Sequence, residues 1–187
     1  MRPGGSNPKG SAFERKTGGL LSAWLTKGER RDLFSRNVLS GGQFTASLGE
    51  RGSPGDLMAA HPRAFRFLSA FVVECKHRRN LELAQFLLDT GGKSFLSRTV
   101  RKADAEGRQA GRHFLVVAAQ NYITPVVLTS TAVGGILVPY MRTHTLHSHT
   151  VVMAHLSGLL ALDPDEFLDW VEALPPPRPR PKVRKFT

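Results

Sequence analysis

Cysteine is nearly absent from this chain of 187 residues: Cys75 stands alone, so no intrachain disulfide can close and no thiolate cluster can hold zinc. A reducing, cytoplasmic setting is the expectation. Acid is scarce as well, with 15 Asp and Glu against 26 Lys and Arg, which leaves a formal charge of +11. Such a field gathers polyanions at the surface, and nucleic acid is the first partner it points to. Long apolar runs are missing. The longest nearly uncharged one, Ala132 to Met141, is too short for a bilayer, and the opening residues lack the apolar core of a signal peptide. Basic residues are spread along the whole chain instead of gathering on one amphipathic helix, so a membrane surface is not an expected partner. Hydrophobic residues are present in ordinary amount, 41% against 22% charged, the balance of a folded domain with a real core.

The ends differ from the middle. Residues 1–10 are rich in Gly and Pro with two basic residues and predict a flexible basic arm. From Pro175 the sequence PPPRPRPKVRKFT predicts an extended basic tail, because proline denies it a helix and charge denies it a core. Residues 11–174 remain as the folded domain. Phe13, Leu20, Leu21, Trp24 and Leu25 recur at helical intervals, with Gly18 and Gly19 weakening the middle of that helix. Strands are predicted at Arg31–Val38 and Gln43–Leu48 around a Ser40-Gly41-Gly42 turn, then at Asp56–Ala60 after a polar loop. Phe71 to Lys76 is a further strand. Helices are expected over Leu81–Leu88 and Phe95–Ala110, and strands over His113–Ala119 and Pro125–Thr129. Asp163 as N-cap, Pro164 in the first turn and Glu166 closing a capping box open a last helix through Trp170 to Leu174. That order implies an α/β or α+β sheet with helices packed against it.

Asp56 and the run Glu74-Cys75-Lys76 carry the chemistry. Residues two apart on a strand share a face, so Glu74 and Lys76 project together while Val73 and Cys75 turn inward. If Asp56 enters the neighbouring strand, its carboxylate approaches that of Glu74. Two hard oxygen ligands and the backbone carbonyl of Cys75 suit Mg²⁺ or Mn²⁺, which keep several waters and bind phosphate oxygens. Lys76 can then orient or help deprotonate an attacking water and offset phosphate charge. Such a set fits phosphodiester hydrolysis. A Glu-x-Lys strand by itself also describes a solvated sheet face; the upstream Gly-Asp, a following helix and the net charge weigh toward the site.

With these residues in place, the chain resembles the PD-(D/E)XK nuclease superfamily and, within it, archaeal Holliday-junction resolvases and uncharacterised phage nucleases. The carriers are Phe13-Glu14-Arg15, Arg36 followed by Ser40-Gly41-Gly42, Gly55-Asp56-Leu57, and Val72-Val73-Glu74-Cys75-Lys76-His77. Pro54 stands one residue early for a literal Pro-Asp pair. The resemblance covers roughly residues 11–130 and implies a restriction-endonuclease-like mixed sheet flanked by helices, an αβββαβ core, with 131–174 as an extension. It implies a Mg²⁺-dependent (or Mn²⁺-dependent) DNA endonuclease with Glu14, Ser40, Asp56, Glu74 and Lys76 in the active site. Asp56, Glu74 and the Cys75 carbonyl would hold the metal, with Glu14 as an added ligand or supporting contact, and Ser40 would touch the scissile phosphate. Ser40 also reads as a plain turn residue, and Glu14 as an ordinary helix-stabilising acid. Arg36, Arg78, Arg79 and Lys93 are the expected DNA contacts, supplying affinity without sequence reading. Branched or junction DNA, and a symmetric homodimer that cuts in pairs, follow from the resolvase likeness alone.

Other features point less far. His144, His147, His149 and His155 lack a metal-ligand spacing and read as a polar loop and strand edge. His77 should face away from the metal side. Gly91-Gly92-Lys93-Ser94 ends like a nucleotide-binding loop, but Leu87 fills the place of its first glycine, so no ATP site is expected. Cys75, turned inward, is a poor nucleophile. Two rival classes share the charge: a DNA-binding protein that keeps the nuclease fold without turnover, as in phage DNA handling, and a basic structural or packaging protein.

Overall fold

In the computed structural model the described residues are 8–37, 54–88, 92–135, 137, 142–146 and 149–178. The apolar spacing of Phe13, Leu21 and Trp24 gives one helix, α1 (Pro8–Leu25), which starts three residues inside the stretch expected to be a flexible arm. Gly18 and Gly19 do not break it. A Cβ at Gly18 would stand 3.3 Å from the Cβ of Phe34, so the bare backbone there lets the next strand pack close. Ser22 ties the turn down by accepting the Leu33 N–H at 3.0 Å while donating to the Gly18 carbonyl at 2.7 Å.

That strand, β1 (Phe34–Arg36), is shorter than the predicted Arg31–Val38, because the residues before Phe34 are committed to the Ser22 contact and to an Arg30–Asp32 pair. It pairs antiparallel with β2 (Leu57–Ala59), a ribbon apart from the main sheet. Asp56 was expected to begin the second strand but precedes it. The turn Ser40–Gly42 and the strand expected at Gln43–Leu48 lie outside the described residues.

A short 3₁₀ turn (Pro62–Ala64) leads into α2 (Phe65–Ala70), which runs directly into β3 (Phe71–Arg78). After it come α3 (Leu83–Leu88), α4 (Phe95–Ala110), β4 (His113–Gln120), β5 (Ile123–Ser130), α5 (Thr131–Gly134), β6 (Arg142–Leu146), β7 (His149–His155), α6 (Leu156–Leu160) and α7 (Pro164–Glu172). The sheet order is β3-β4-β5-β7-β6. Among the described strands only β3 and β4 run parallel, as their helical crossover through α3 and α4 requires; the other neighbours are antiparallel. Residues beyond 130, expected as an extension, thus supply two of the five strands described in this sheet.

Alternation along β3 and β4 divides the core between the two sheet faces. Phe71, Val73 and Cys75 with Leu115, Val117 and Ala119 meet α1, the β1–β2 ribbon, α2 and α7. Phe114, Val116 and Ala118 meet Phe86 of α3 and Leu96, Val100 and Ala103 of α4. Phe71 stacks on Phe167 with ring centroids 5.9 Å apart, and Trp24 closes on the same ring edge-on. Asp163 caps α7 by accepting from the Asp165 and Glu166 amides. Among the described residues no helix is long and apolar enough to cross a membrane.

Candidate active site

Among the described strands β3 stands at the edge of its sheet, and an edge strand presents unpaired backbone groups that must be satisfied. The segment before β2 answers this need. The Asp56 N–H donates to the Val73 carbonyl at 2.7 Å, and Asp56 Oδ2 accepts the Cys75 N–H at 2.8 Å. Gly55 makes the approach possible. Its φ is +95°, and a Cβ there would lie 2.6 Å from the Val73 oxygen. Asn37 clamps the same turn, donating from its amide side chain to the Gly55 carbonyl at 2.9 Å and from its backbone to the Asp56 carbonyl at 2.8 Å. Asp56 therefore sits on the edge of β3 by backbone pairing, one residue before β2 begins.

Glu74 and Lys76 project together from β3 onto the face covered by α4, as the two-residue alternation predicts. Three oxygens converge on the Lys76 ammonium: Glu74 Oε1 at 2.6 Å, Asp56 Oδ2 at 3.0 Å and the Cys75 carbonyl at 3.1 Å. Asp56 is 4% and Glu74 2% exposed, so both carboxylates are removed from bulk water. Burial alone would lower the lysine pKa, but Glu74 and then Asp56 outweigh it and hold Lys76 protonated above the usual lysine range. It is a donor and a fixed positive charge in this state, not a base.

Sequence reasoning missed two residues of the same cluster. Lys102 of α4 reaches Glu74 Oε1 at 3.3 Å and Glu106 at 3.5 Å. Burial, followed by repulsion from Glu74, raises the Glu106 pKa. Their i,i+4 spacing is visible in the sequence as a helix pair, yet nothing in it says that this face of α4 turns toward β3. Asn37 was missed too, since a buried amide that braces a turn carries no chemical motif.

The remaining expected residues divide. Glu14 is paired with Arg36 and contacts neither Asp56 nor Glu74 through any hydrogen bond or ion pair among the described residues. Arg36, expected on DNA, is correspondingly engaged in that pair. Ser40 lies outside the described residues. Arg78 lies over the Phe95 ring at 3.8 Å, while Arg79 and Lys93 are exposed at the end of β3 and before α4. His77 turns away from the carboxylates, as expected, and stacks on Phe13 at 5.5 Å. Cys75 is buried, which pushes its thiol pKa up and leaves it a poor nucleophile. The Gly92 and Lys93 carbonyls accept from Arg101 and Arg98, and Gly91 lies outside the described residues. His144 and His149 lie on β6 and β7, His155 is exposed, and His147 is outside the described residues.

Among the described residues no group of three or more His, Cys, Asp and Glu side chains gathers as a metal site. The donor set is instead two carboxylates and a carbonyl. That set fits Mg²⁺ or Mn²⁺, which complete their shells with water and substrate oxygens. The ammonium of Lys76, held by all three oxygens, is the cation standing where the donors converge.

A family model described as "Phage putative PDDEXK endonuclease" matches residues 5–169. No curated protein and no solved structure matches the chain.

Proposed function

Since the chain belongs to the Phage putative PDDEXK endonuclease family, we propose that it is a metal-dependent endonuclease hydrolysing internal phosphodiester bonds of DNA at Asp56, Glu74 and Lys76. The observation that carries this reading is the convergence of two buried carboxylates and the Cys75 carbonyl on one cationic point. Asp56, Glu74 and the Cys75 carbonyl would hold Mg²⁺ or Mn²⁺. A bound cation would supply Lewis acidity toward a phosphate oxygen and make water a competent nucleophile at neutral pH.

The chain's own groups do the rest. Lys76, kept protonated, donates hydrogen bonds to the attacking water or a phosphate oxygen and offsets the charge that grows there. Lys102 restrains the Glu74 carboxylate through the same Oε1 that Lys76 contacts. Arg78, Arg79 and Lys93 contact the DNA backbone, which gives affinity and salt dependence. Glu14 acts through Arg36 as a support for the β1 side of the site, and Ser40 belongs to a phosphate contact in this reading. Preference for branched DNA is the finer part of the proposal.

Labelled linear duplex, flap and four-way-junction DNA, each offered with Mg²⁺, Mn²⁺ or EDTA, test it. Cutting is expected only with metal, and it is expected to fall at least about a hundredfold in Glu74→Ala and in Lys76→Ala. Binding without cutting under every metal condition, unchanged in both variants, would instead favour a DNA-binding protein that has kept this fold without turnover.

A further inference from the structure

The hairpin joining β4 to β5 presents an aromatic ring that the fold does not use. Its two-residue loop is Asn121-Tyr122, closed by the pairing of Gln120 with Ile123. Tyr122 has φ +64° and is fully exposed. A left-handed backbone at the second loop position is ordinarily filled by glycine or asparagine. A tyrosine there carries a backbone cost that no packing contact offsets, and such outliers point to use.

The surroundings say what that use is. An open groove of about 500 Å³ is lined by Lys9, Phe13, Lys16, His77, Asn121 and Tyr122, and Arg78 and Arg79 line the depression beside it. The base of the hairpin is fixed, because Gln120 Oε1 accepts the Leu81 N–H at 2.8 Å. Lys76 pairs with Ala118, four residues before Tyr122. At about 3.3 Å per residue the loop lies on the order of 13 Å along the strands from Lys76, and the groove opens on the α1 face of the sheet, opposite the Glu74 and Lys76 side chains.

We propose that Tyr122 is a stacking platform for an unpaired base, so that the preferred substrate is DNA with a single-stranded segment leaving a duplex. This rests on DNA being the substrate of the Asp56–Glu74–Lys76 site. The cationic groove draws the phosphate backbone, and the exposed ring supplies a sequence-tolerant stacking surface that a fully paired helix has no base to fill.

Binding of the full chain in EDTA separates this from the chemistry. The probes are a plain duplex and the same duplex with a single-stranded flap carrying a fluorescent adenine analogue at its first unpaired position. The wild type is expected to bind the flap about tenfold more tightly than the duplex and to quench the analogue. Tyr122→Ala and Tyr122→Gly bring that ratio close to one and abolish the quenching, while Tyr122→Phe retains both. Tyr122→Gly is also expected to melt no lower than the wild type, since glycine suits the left-handed backbone, so a purely structural role does not account for its loss of preference. Equal flap preference in wild type and Tyr122→Ala, or an unquenched analogue, overturns the inference even where metal-dependent cutting is intact. A wild type that neither cuts nor binds DNA defeats the proposed function first and this inference with it.

Discussion

Lys76→Met is expected to lose cleavage by about a hundred- to a thousandfold and yet to bind Mn²⁺ more tightly than the wild type. The two effects come from one geometry. Asp56 Oδ2, Glu74 Oε1 and the Cys75 carbonyl lie within 3.1 Å of the Lys76 ammonium, so the lysine competes for the oxygens that would hold a metal. Removing one partner of a buried ion cluster leaves charge uncompensated and costs about 3 kcal/mol. For a chain of this size that lowers the melting temperature in EDTA by roughly 10 °C. Lys102 offsets only part of this, because it touches Glu74 and is itself half-exposed. Mn²⁺ should restore most of the lost stability in the variant and much less in the wild type. Thermal melts with and without Mn²⁺, run beside a cleavage assay, check all three effects. If the cluster were only a structural ion pair, the melting temperature would fall without any rescue by metal.

Gly55→Ala is expected to destabilise the chain by about 3 kcal/mol and to remove cleavage with it. Two costs add there. The backbone is left-handed at φ +95°, which any side chain resists by about 1–2 kcal/mol. The new Cβ would also stand 2.6 Å from the Val73 oxygen and 3.0 Å from its nitrogen, both backbone atoms of a strand that cannot give way. Relief requires the Asp56 turn to leave the edge of β3, which breaks the Asp56 N–H to Val73 bond and moves the carboxylate off the Cys75 N–H. Chemical denaturation and cleavage of labelled DNA at a temperature where the variant remains folded separate the two losses. Gly28, at φ +99° with open space around it, serves as the control: Gly28→Ala carries the backbone cost without the collision and without an effect on cutting.

Glu74 and Lys76 were legible because strand alternation is a local rule, and local rules survive folding. Asp56 was legible as a carboxylate to set beside Glu74, but its geometry was not. The sequence suggested the start of a strand, whereas the residue is held by a backbone bridge to β3 that depends on Gly55. Gly18 and Gly19 misled in the opposite sense: propensity counts them as helix-weakening, and tertiary packing against Phe34 makes the small residue useful. Lys102 and Glu106 were hidden because the face of α4 that meets β3 is decided by the crossover, which no short window contains. Glu14 and Arg36 stood as separate candidates in the sequence and form a pair in the fold.

The most direct measurement is a calorimetric titration of Mn²⁺ into the wild type and Asp56→Asn, with labelled flap DNA then added to the same samples. The site described here predicts saturable metal binding and DNA cutting in the wild type, and loss of both in a folded Asp56→Asn. Equal Mn²⁺ binding by the two proteins, or cutting that persists in Asp56→Asn or in EDTA, would contradict it.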